Sequence, residues 1–269
     1  MYRLIAADMD DTLLAPDSRL TKRTIEALNK AMDAGAYVML ATGRMLESAL
    51  PFAEETGVNA PLLLYNGAWL YDRKNDKTLF SNVIKKDTAK AICKMAREMG
   101  LYIQAYPGKG YYAEKRTAYT DAYAKQIRVD CVITGVPLDE FIDSDCFKLL
   151  IIGEKEETPG NIKKFSEAFP EISFMMSKPH YIEIVAKGID KAATLEAAIA
   201  HLGIKREEVL AFGDGQNDLS MLKFAGKGYC MANALESVKA KCDTFAPSNA
   251  RDGVAQVIEE LLEKGEIGR

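Results

Sequence analysis

Apolar residues fall along this chain in two rhythms. Short continuous runs, Leu4–Ala7, Tyr37–Ala41 and Leu62–Tyr65, have the length and composition of buried strands. Between the first two, Ile25, Leu28 and Met32 recur at helical spacing, with Thr21 placed to cap the helix and Gly35 to end it. Another helical stretch separates the second run from the third. This β-α-β-α-β order predicts a parallel sheet with right-handed crossovers.

The rhythm changes at Asn66-Gly67. That pair and the stretch Asp72–Lys77 read as turns between short strands. From about Val83 to Val185 helices and strands are mixed. A helix carries Ile92, Met95 and Met99. The strand Tyr102–Tyr106 follows, and then a Pro107-Gly108-Lys109-Gly110 turn into Tyr111-Tyr112. A further helix lies near Asn161–Phe169, and further strands are Phe147–Ile152, Ser173–Met176 and Tyr181–Val185. After Gly188 the parallel alternation resumes, with Ala192, Leu195, Ile199 and Leu202 along one helix face and then the strand Val209–Phe212. The expected fold is α/β: a discontinuous core of residues 1–82 and 186–269, interrupted by an α+β insert over residues 83–185. The length of 269 residues leaves room for two domains.

Composition narrows the class. With 48% hydrophobic and 28% charged residues the chain reads as an ordinary soluble globular protein. A net charge of −4 gives no electrostatic case for nucleic acid or an anionic membrane as partner. No apolar run is long enough to span a bilayer, and the N-terminus lacks the pattern of a signal peptide, so a cytoplasmic location is expected. The five cysteines, Cys93, Cys131, Cys146, Cys230 and Cys242, are scattered without C-x-x-C spacing, which suits reduced, mostly packed thiols.

The candidate chemistry sits where strands end. In open parallel sheets, ligands bind beyond the carboxyl ends of the strands. Four polar clusters lie there: Asp8-Met9-Asp10, Thr42-Gly43, Asn66-Gly67, and Asp214 with its followers. Asp8 and Asp10 are two residues apart, so in extended chain they point to the same side. One could attack while the other moves protons. Gly213-Asp214-Gly215-Gln216-Asn217-Asp218 adds two more carboxylates. Like charges about 4 Å apart repel by roughly 4 kcal/mol at an effective dielectric near 20. Aspartates converging there therefore call for a cation, and oxygen ligands of this kind suit Mg²⁺.

Together these segments resemble the haloacid dehalogenase superfamily. Asp8-Met9-Asp10-Asp11-Thr12-Leu13-Leu14 is similar to its nucleophile motif, Thr42-Gly43-Arg44 to its second motif, Lys191 to its third and Gly213–Asp218 to its fourth, in family order. The large insert, Met231-Ala232-Asn233-Ala234 and the stretch Asn249–Gly253 resemble the Cof-like, type IIB branch with a C2-type cap. Asp11 and Ala232 depart from the glycine that many members have at those places. Neither replaces a chemical group.

The resemblance implies a Rossmann-like core with an inserted cap, and an Mg²⁺-dependent phosphatase acting on small phosphorylated metabolites such as sugar phosphates. Asp8 would be the nucleophile and Asp10 the general acid and base. Metal would be held by Asp8, the Asp10 carbonyl and Asp214, with Asp218 ligating directly or through water. Met9, Thr42, Gly43, Lys191 and Asn217 would surround the phosphate.

A phosphomutase or phosphotransferase using the same site stays open, whereas the presence of both Asp8 and Asp10 argues against a non-catalytic phosphate-binding protein. A signalling receiver fits less well, because the third strand ends in Tyr65-Asn66-Gly67 without an aspartate. Sequence leaves the oligomeric state open. The remaining features read as structural. His180 and His201 show no metal-ligand spacing. The G-x-G-x-x-A stretch at Gly108–Ala113 reads as a hairpin rather than a dinucleotide loop. The tyrosines Tyr102, Tyr106, Tyr111, Tyr112, Tyr119 and Tyr123 read mainly as packing of the insert, and Trp69 as packing of a hairpin.

Overall fold

The computed structural model describes residues 1–268. The chain divides into two compact units. One comprises residues 1–44, 49–80 and 190 onward; the other comprises residues 45–48 and 81–189.

The chain begins with β1 (Leu4–Ala7), α1 (Lys22–Asp33), β2 (Tyr37–Leu40), α2 (Leu46–Thr56) and β3 (Leu62–Leu64). Next come β4 (Trp69–Asp72) and β5 (Lys77–Ser81). The second unit supplies α3 (Lys86–Glu98), β6 (Tyr102–Tyr106), β7 (Tyr112–Ala113), α4 (Ala118–Ile127) and β8 (Val132–Ile133). It continues with α5 (Leu138–Phe141), β9 (Lys148–Ile152), α6 (Thr158–Ala168), β10 (Ile172–Lys178) and β11 (Tyr181–Ala186). The first unit then resumes with α7 (Lys191–Leu202), β12 (Val209–Gly213), α8 (Leu219–Phe224) and β13 (Lys227–Met231). It closes with α9 (Glu236–Lys239), β14 (Phe245–Ala246) and α10 (Gly253–Glu263).

The first unit is organised by a parallel five-stranded sheet of order β14-β13-β12-β1-β2. Leu4 stands opposite both Tyr37 and Val209, which sets the register of the three central strands. All four β1 side chains are buried, as a parallel sheet covered on both faces requires. On one face Leu4, Ala6, Met39 and Ala211 pack with Leu195, Ala198 and Ile199 of α7 and Met221 of α8. Elsewhere in the unit α1 packs on α10. The sequence signals for α1 hold. The Thr21 hydroxyl accepts from the Thr24 amide at 3.1 Å, and Gly35 takes the left-handed φ of 95° that follows the helix end.

The third apolar run behaves differently from the simple β-α-β-α-β expectation. β3 joins the parallel sheet through a bridge between Ala41 and Leu63, but its ladder belongs to a separate sheet, β3-β4-β5. The cause is local: Tyr65, Asn66 and Gly67 all have positive φ (51°, 58° and 106°), which reverses the chain into an antiparallel hairpin with Leu64 opposite Trp69. Trp69 packs beside Tyr71 and donates its indole N–H to the Thr78 hydroxyl at 2.9 Å, consistent with a hairpin role.

The second unit is α+β. Its six-stranded sheet has the order β10-β11-β9-β6-β7-β8. Ile103, Ala105, Leu149, Ile151, Ile182 and Ile184 pack with Ile92, Cys93 and Ala96 of α3 and Phe165 of α6. The Gly108–Gly110 turn joins β6 and β7 as an antiparallel hairpin, with Ala105 opposite Tyr112. The tyrosines interlock: Tyr106 stacks on Tyr111, and Tyr111 meets Tyr123 edge-on. Among the described residues no helix is long and apolar enough to cross a membrane. All five cysteines are free thiols.

Candidate active site

The parallel sheet delivers the acidic residues. Asp8 directly follows β1, and its amide donates to the Phe212 carbonyl of β12 at 2.9 Å. Beyond it, Met9–Leu13 forms a tight turn closed by bonds from Leu13 N to Asp8 O (3.3 Å) and from Leu14 N to Met9 O (2.9 Å). Asp11 within the turn has φ 57°, which explains why glycine suits this place and why aspartate is tolerated there. Asp214 follows β12. Lys191 opens α7, whose cap residue Asp190 accepts from the Ala192 amide at 2.6 Å.

These elements bring three carboxylates together. Asp8, Asp214 and Asp218 each offer an oxygen, and the three oxygens lie within 4.8 Å of one another. Lys191 is fully buried among them. Its Nζ donates to Asp8 Oδ1 at 2.7 Å, to Asp218 Oδ1 at 2.5 Å and to the Ala41 carbonyl at 2.7 Å. All three ammonium protons are thereby engaged. Asp218 Oδ2 accepts from the amides of Asp214 (3.0 Å) and Gly215 (2.7 Å), so this side chain braces its own loop. Gly213 must lack a side chain here, since a Cβ would lie 2.5 Å from that of Asp218. Asp214 Oδ1 accepts from the Thr12 hydroxyl at 2.8 Å. Asp8 and Asp214 each keep one oxygen outside these bonds.

The electrostatics follow from burial and crowding. Burial pushes the Asp8 carboxyl well above the ordinary carboxylate value; Lys191 opposes this, while Asp218 and Asp214 reinforce it. Burial lifts Asp214 to about 6 against the Thr12 hydrogen bond, with the Asp218 and Asp11 charges adding to the rise. Burial alone would lower Lys191, but the Asp8 and Asp218 charges outweigh it and hold the ammonium above its usual value. One buried lysine therefore faces three carboxylates. An all-oxygen donor set with surplus negative charge fits a hard divalent cation.

Asp10 stands outside the triad of carboxylates. Its carboxylate is held by Arg44, with Nε 2.8 Å from Oδ2 and Nη2 2.6 Å from Oδ1. Met9 is buried, so its main chain is the part that a ligand could meet. Thr42 is fully buried after β2, and its hydroxyl oxygen accepts from the Arg44 amide at 3.1 Å. Asn217 Nδ2 donates to Asn66 Oδ1 at 2.9 Å, and Gly43 lies against that same Asn66.

Four residues that the sequence reading gave no role thus join the site. Arg44 and Thr12 sit inside recognised motifs. Asn66 sits in a polar cluster already noted at a strand end. Asn233 sits in the late stretch that carries the family resemblance, and it reaches the Asp11 carbonyl at 2.7 Å from more than two hundred residues away.

Comparisons with known proteins place these features in context. Residues 5–258 match the family model of haloacid dehalogenase-like hydrolases. A 5-amino-6-(5-phospho-D-ribitylamino)uracil phosphatase of Bacillus subtilis is 28% identical over 265 residues, covering 96% of this chain and 97% of its own. The crystal structure of a haloacid dehalogenase-like hydrolase from Bacteroides thetaiotaomicron superposes with a TM-score of 0.91 at 31% identity, over 97% of this chain and all of the other. A subclass IIB sugar phosphatase shares the fold, with a TM-score of 0.81 at 24% identity over 98% of this chain and 100% of its own.

Proposed function

The chain belongs to the haloacid dehalogenase-like hydrolase family as a phosphatase, and from that premise we propose that it hydrolyses small phosphorylated metabolites through an aspartyl-phosphate on Asp8, with Mg²⁺ as cofactor. One observation carries this reading: Asp8, at the end of β1, is 2.7 Å from a buried lysine and shares a carboxylate cluster with Asp214 and Asp218.

The residues divide the work. Asp8 attacks phosphorus with a carboxylate oxygen, forming the acyl phosphate and releasing the substrate's oxygen. Asp10 gives that oxygen a proton and later takes one from the attacking water. Arg44 fixes the orientation of the Asp10 carboxylate. Lys191 opposes the effect of burial on the Asp8 carboxyl, and with its three protons engaged it acts as a charge brace. Thr42, Gly43 and Asn217 supply neutral donors to the phosphate, with Asn217 oriented by Asn66. When bound, Mg²⁺ would be held by Asp8, the Asp10 carbonyl and Asp214 and would neutralise charge on the phosphoryl group. The Asp218 oxygens already serve Lys191 and two amides, which favours an indirect role for that residue.

Sugar phosphates are the proposed substrate class. Support comes from the relatives' names, which carry a phosphorylated ribityl chain in one case and a sugar phosphatase in another. The insert over residues 83–185 is proposed to choose among them. The test is a panel of phosphorylated metabolites scored for phosphate release with Mg²⁺ and with chelator. Release from sugar phosphates that the chelator abolishes supports the reading. A phosphate that moves to another position on the substrate without release would instead indicate a mutase.

A further inference from the structure

We propose that Asn233 and Asn249 are positioning residues that lock the turn carrying Asp8 and Asp10. Asn233 lies just beyond β13, and Asn249 begins a short turn after β14. Neither is near the first aspartates in sequence. Their side-chain amides nonetheless grip the far half of that turn. Asn233 Nδ2 donates to the Asp11 carbonyl at 2.7 Å, and Asn249 Nδ2 donates to the Leu14 carbonyl at 2.9 Å. The two are joined to each other, since the Asn249 amide N–H donates to Asn233 Oδ1 at 3.0 Å.

This arrangement fixes which way the Asn233 amide points. Its oxygen faces an N–H and its nitrogen faces a carbonyl, so a flip would break both bonds. Asn249 is buried, and a buried amide needs its partner.

The turn needs such a clasp. Asp11 holds a left-handed φ of 57°, which is strained for a residue with a side chain. The carbonyls of Asp8 and Met9 are taken by Leu13 N and Leu14 N, and those of Asp11 and Leu14 by the two asparagines. The Asp10 carbonyl belongs to none of these bonds. The asparagines therefore hold the stretch that follows Asp10 while touching neither Asp8 nor the Asp10 carboxylate. They set the path of the turn and leave the chemistry to its aspartates. β13 and β14 are neighbours in the parallel sheet, and the Ala232 amide donates to the Ala246 carbonyl at 2.9 Å. The clasp is thus anchored on the same sheet that carries Asp8 and Asp214.

The discriminating variant is Asn233→Asp. It keeps the oxygen that faces Asn249 but sets an acceptor against the Asp11 carbonyl. Asn249→Asp does the same at Leu14. Two readouts are taken on the full chain: kcat and KM with p-nitrophenyl phosphate and Mg²⁺, and hydrogen exchange of the Leu13 and Leu14 amides. The expected loss is about 10–100-fold in kcat, typical of groups that orient catalytic ligands. KM should stay within about threefold, and exchange at Leu13 and Leu14 should speed up. The two variants combined should lose less than the product of their separate effects, because both act on one turn.

Unchanged kcat would overturn the proposal. So would a loss of kcat with Leu13 and Leu14 exchanging as slowly as in the wild type. If the aspartate variants fail to fold, Asn233→Ala and Asn249→Ala, which remove the donor without adding a charge, decide by the same two readouts: faster exchange at both amides upholds the lock and unchanged exchange refutes it. The kinetic arm rests on the proposed phosphatase reaction, whereas the exchange arm does not. An inactive wild type with protected amides would therefore count against the reaction and not against the lock.

Discussion

Arg44 grips the Asp10 carboxylate through two parallel hydrogen bonds, 2.8 Å from Nε to Oδ2 and 2.6 Å from Nη2 to Oδ1. The Asp10 side chain is about half exposed, at 54%, so packing does not fix it. The guanidinium fork does. Arg44 itself is steadied from β2, since its amide donates to the Thr42 hydroxyl oxygen. A proton carrier that would otherwise sample several rotamers is held in one.

The first expectation follows from this grip. Arg44→Lys keeps the charge and loses the planar fork. Hydrogen bonds to charged groups contribute about 1.5–3 kcal/mol, or roughly 10–100-fold in rate if the loss falls on the transition state. Steady-state kinetics should show the fall in kcat rather than KM. The deficit should shrink for a substrate whose leaving group needs no proton.

The second concerns Lys191. Replacing it with Met leaves Asp8 and Asp218 buried without their cation. Breaking a buried pair in this way costs about 3–5 kcal/mol. Thermal melts should show a marked drop at pH 8 and a smaller one at pH 5, where the stranded carboxyls can take up protons. An equal drop at both pH values would contradict the charge-brace role.

The third is a pH dependence of the metal-free protein. The folded-state values of Asp8 and Asp214 are raised, Asp214 to about 6. A carboxyl whose folded value is raised contributes stability below its unfolded value, and that stability is lost as pH rises through the folded one. In chelator, the melting temperature should therefore fall between pH 5 and pH 7. Asp214→Asn should reduce the fall. Mg²⁺ added at pH 7 should raise the melting temperature by linkage.

The architecture was largely legible because a parallel sheet writes itself as short, fully apolar runs. Leu4–Ala7, with all four side chains buried, is the clearest case. Lys191 was legible as the third motif, but not its full engagement by Asp8, Asp218 and the Ala41 carbonyl. Two bonds and one helix were hidden for different reasons. The Asn66 partnership with Asn217 spans two loops 151 positions apart, and no periodicity encodes it. The bond from Asn233 to Asp11 depends on neighbouring strands that are distant in the chain. Helix α4 buries only Thr120 and Tyr123, too few apolar positions to mark a helix by their spacing, although Tyr123 packs in the insert as its sequence suggests.

The fourth expectation uses Gly43. A Cβ there would lie 2.9 Å from Asn66 Oδ1, the oxygen that accepts from Asn217. Gly43→Ala should displace Asn66 and release Asn217. KM for phosphorylated substrates should rise, with melting temperature little changed. Unaltered kinetics would remove Asn66 and Asn217 from the phosphate-binding account.

The central claim is that Asp8 carries the phosphoryl group. The direct measurement is to mix enzyme with a substrate from the panel and Mg²⁺, quench in acid within a single turnover, and map the phosphorylated peptide by mass spectrometry. The account expects one phosphoryl group on Asp8, formed and lost at rates that match phosphate release, and absent from Asp8→Asn. Phosphate release with no phosphorylated peptide, or with the group on another residue, would contradict it.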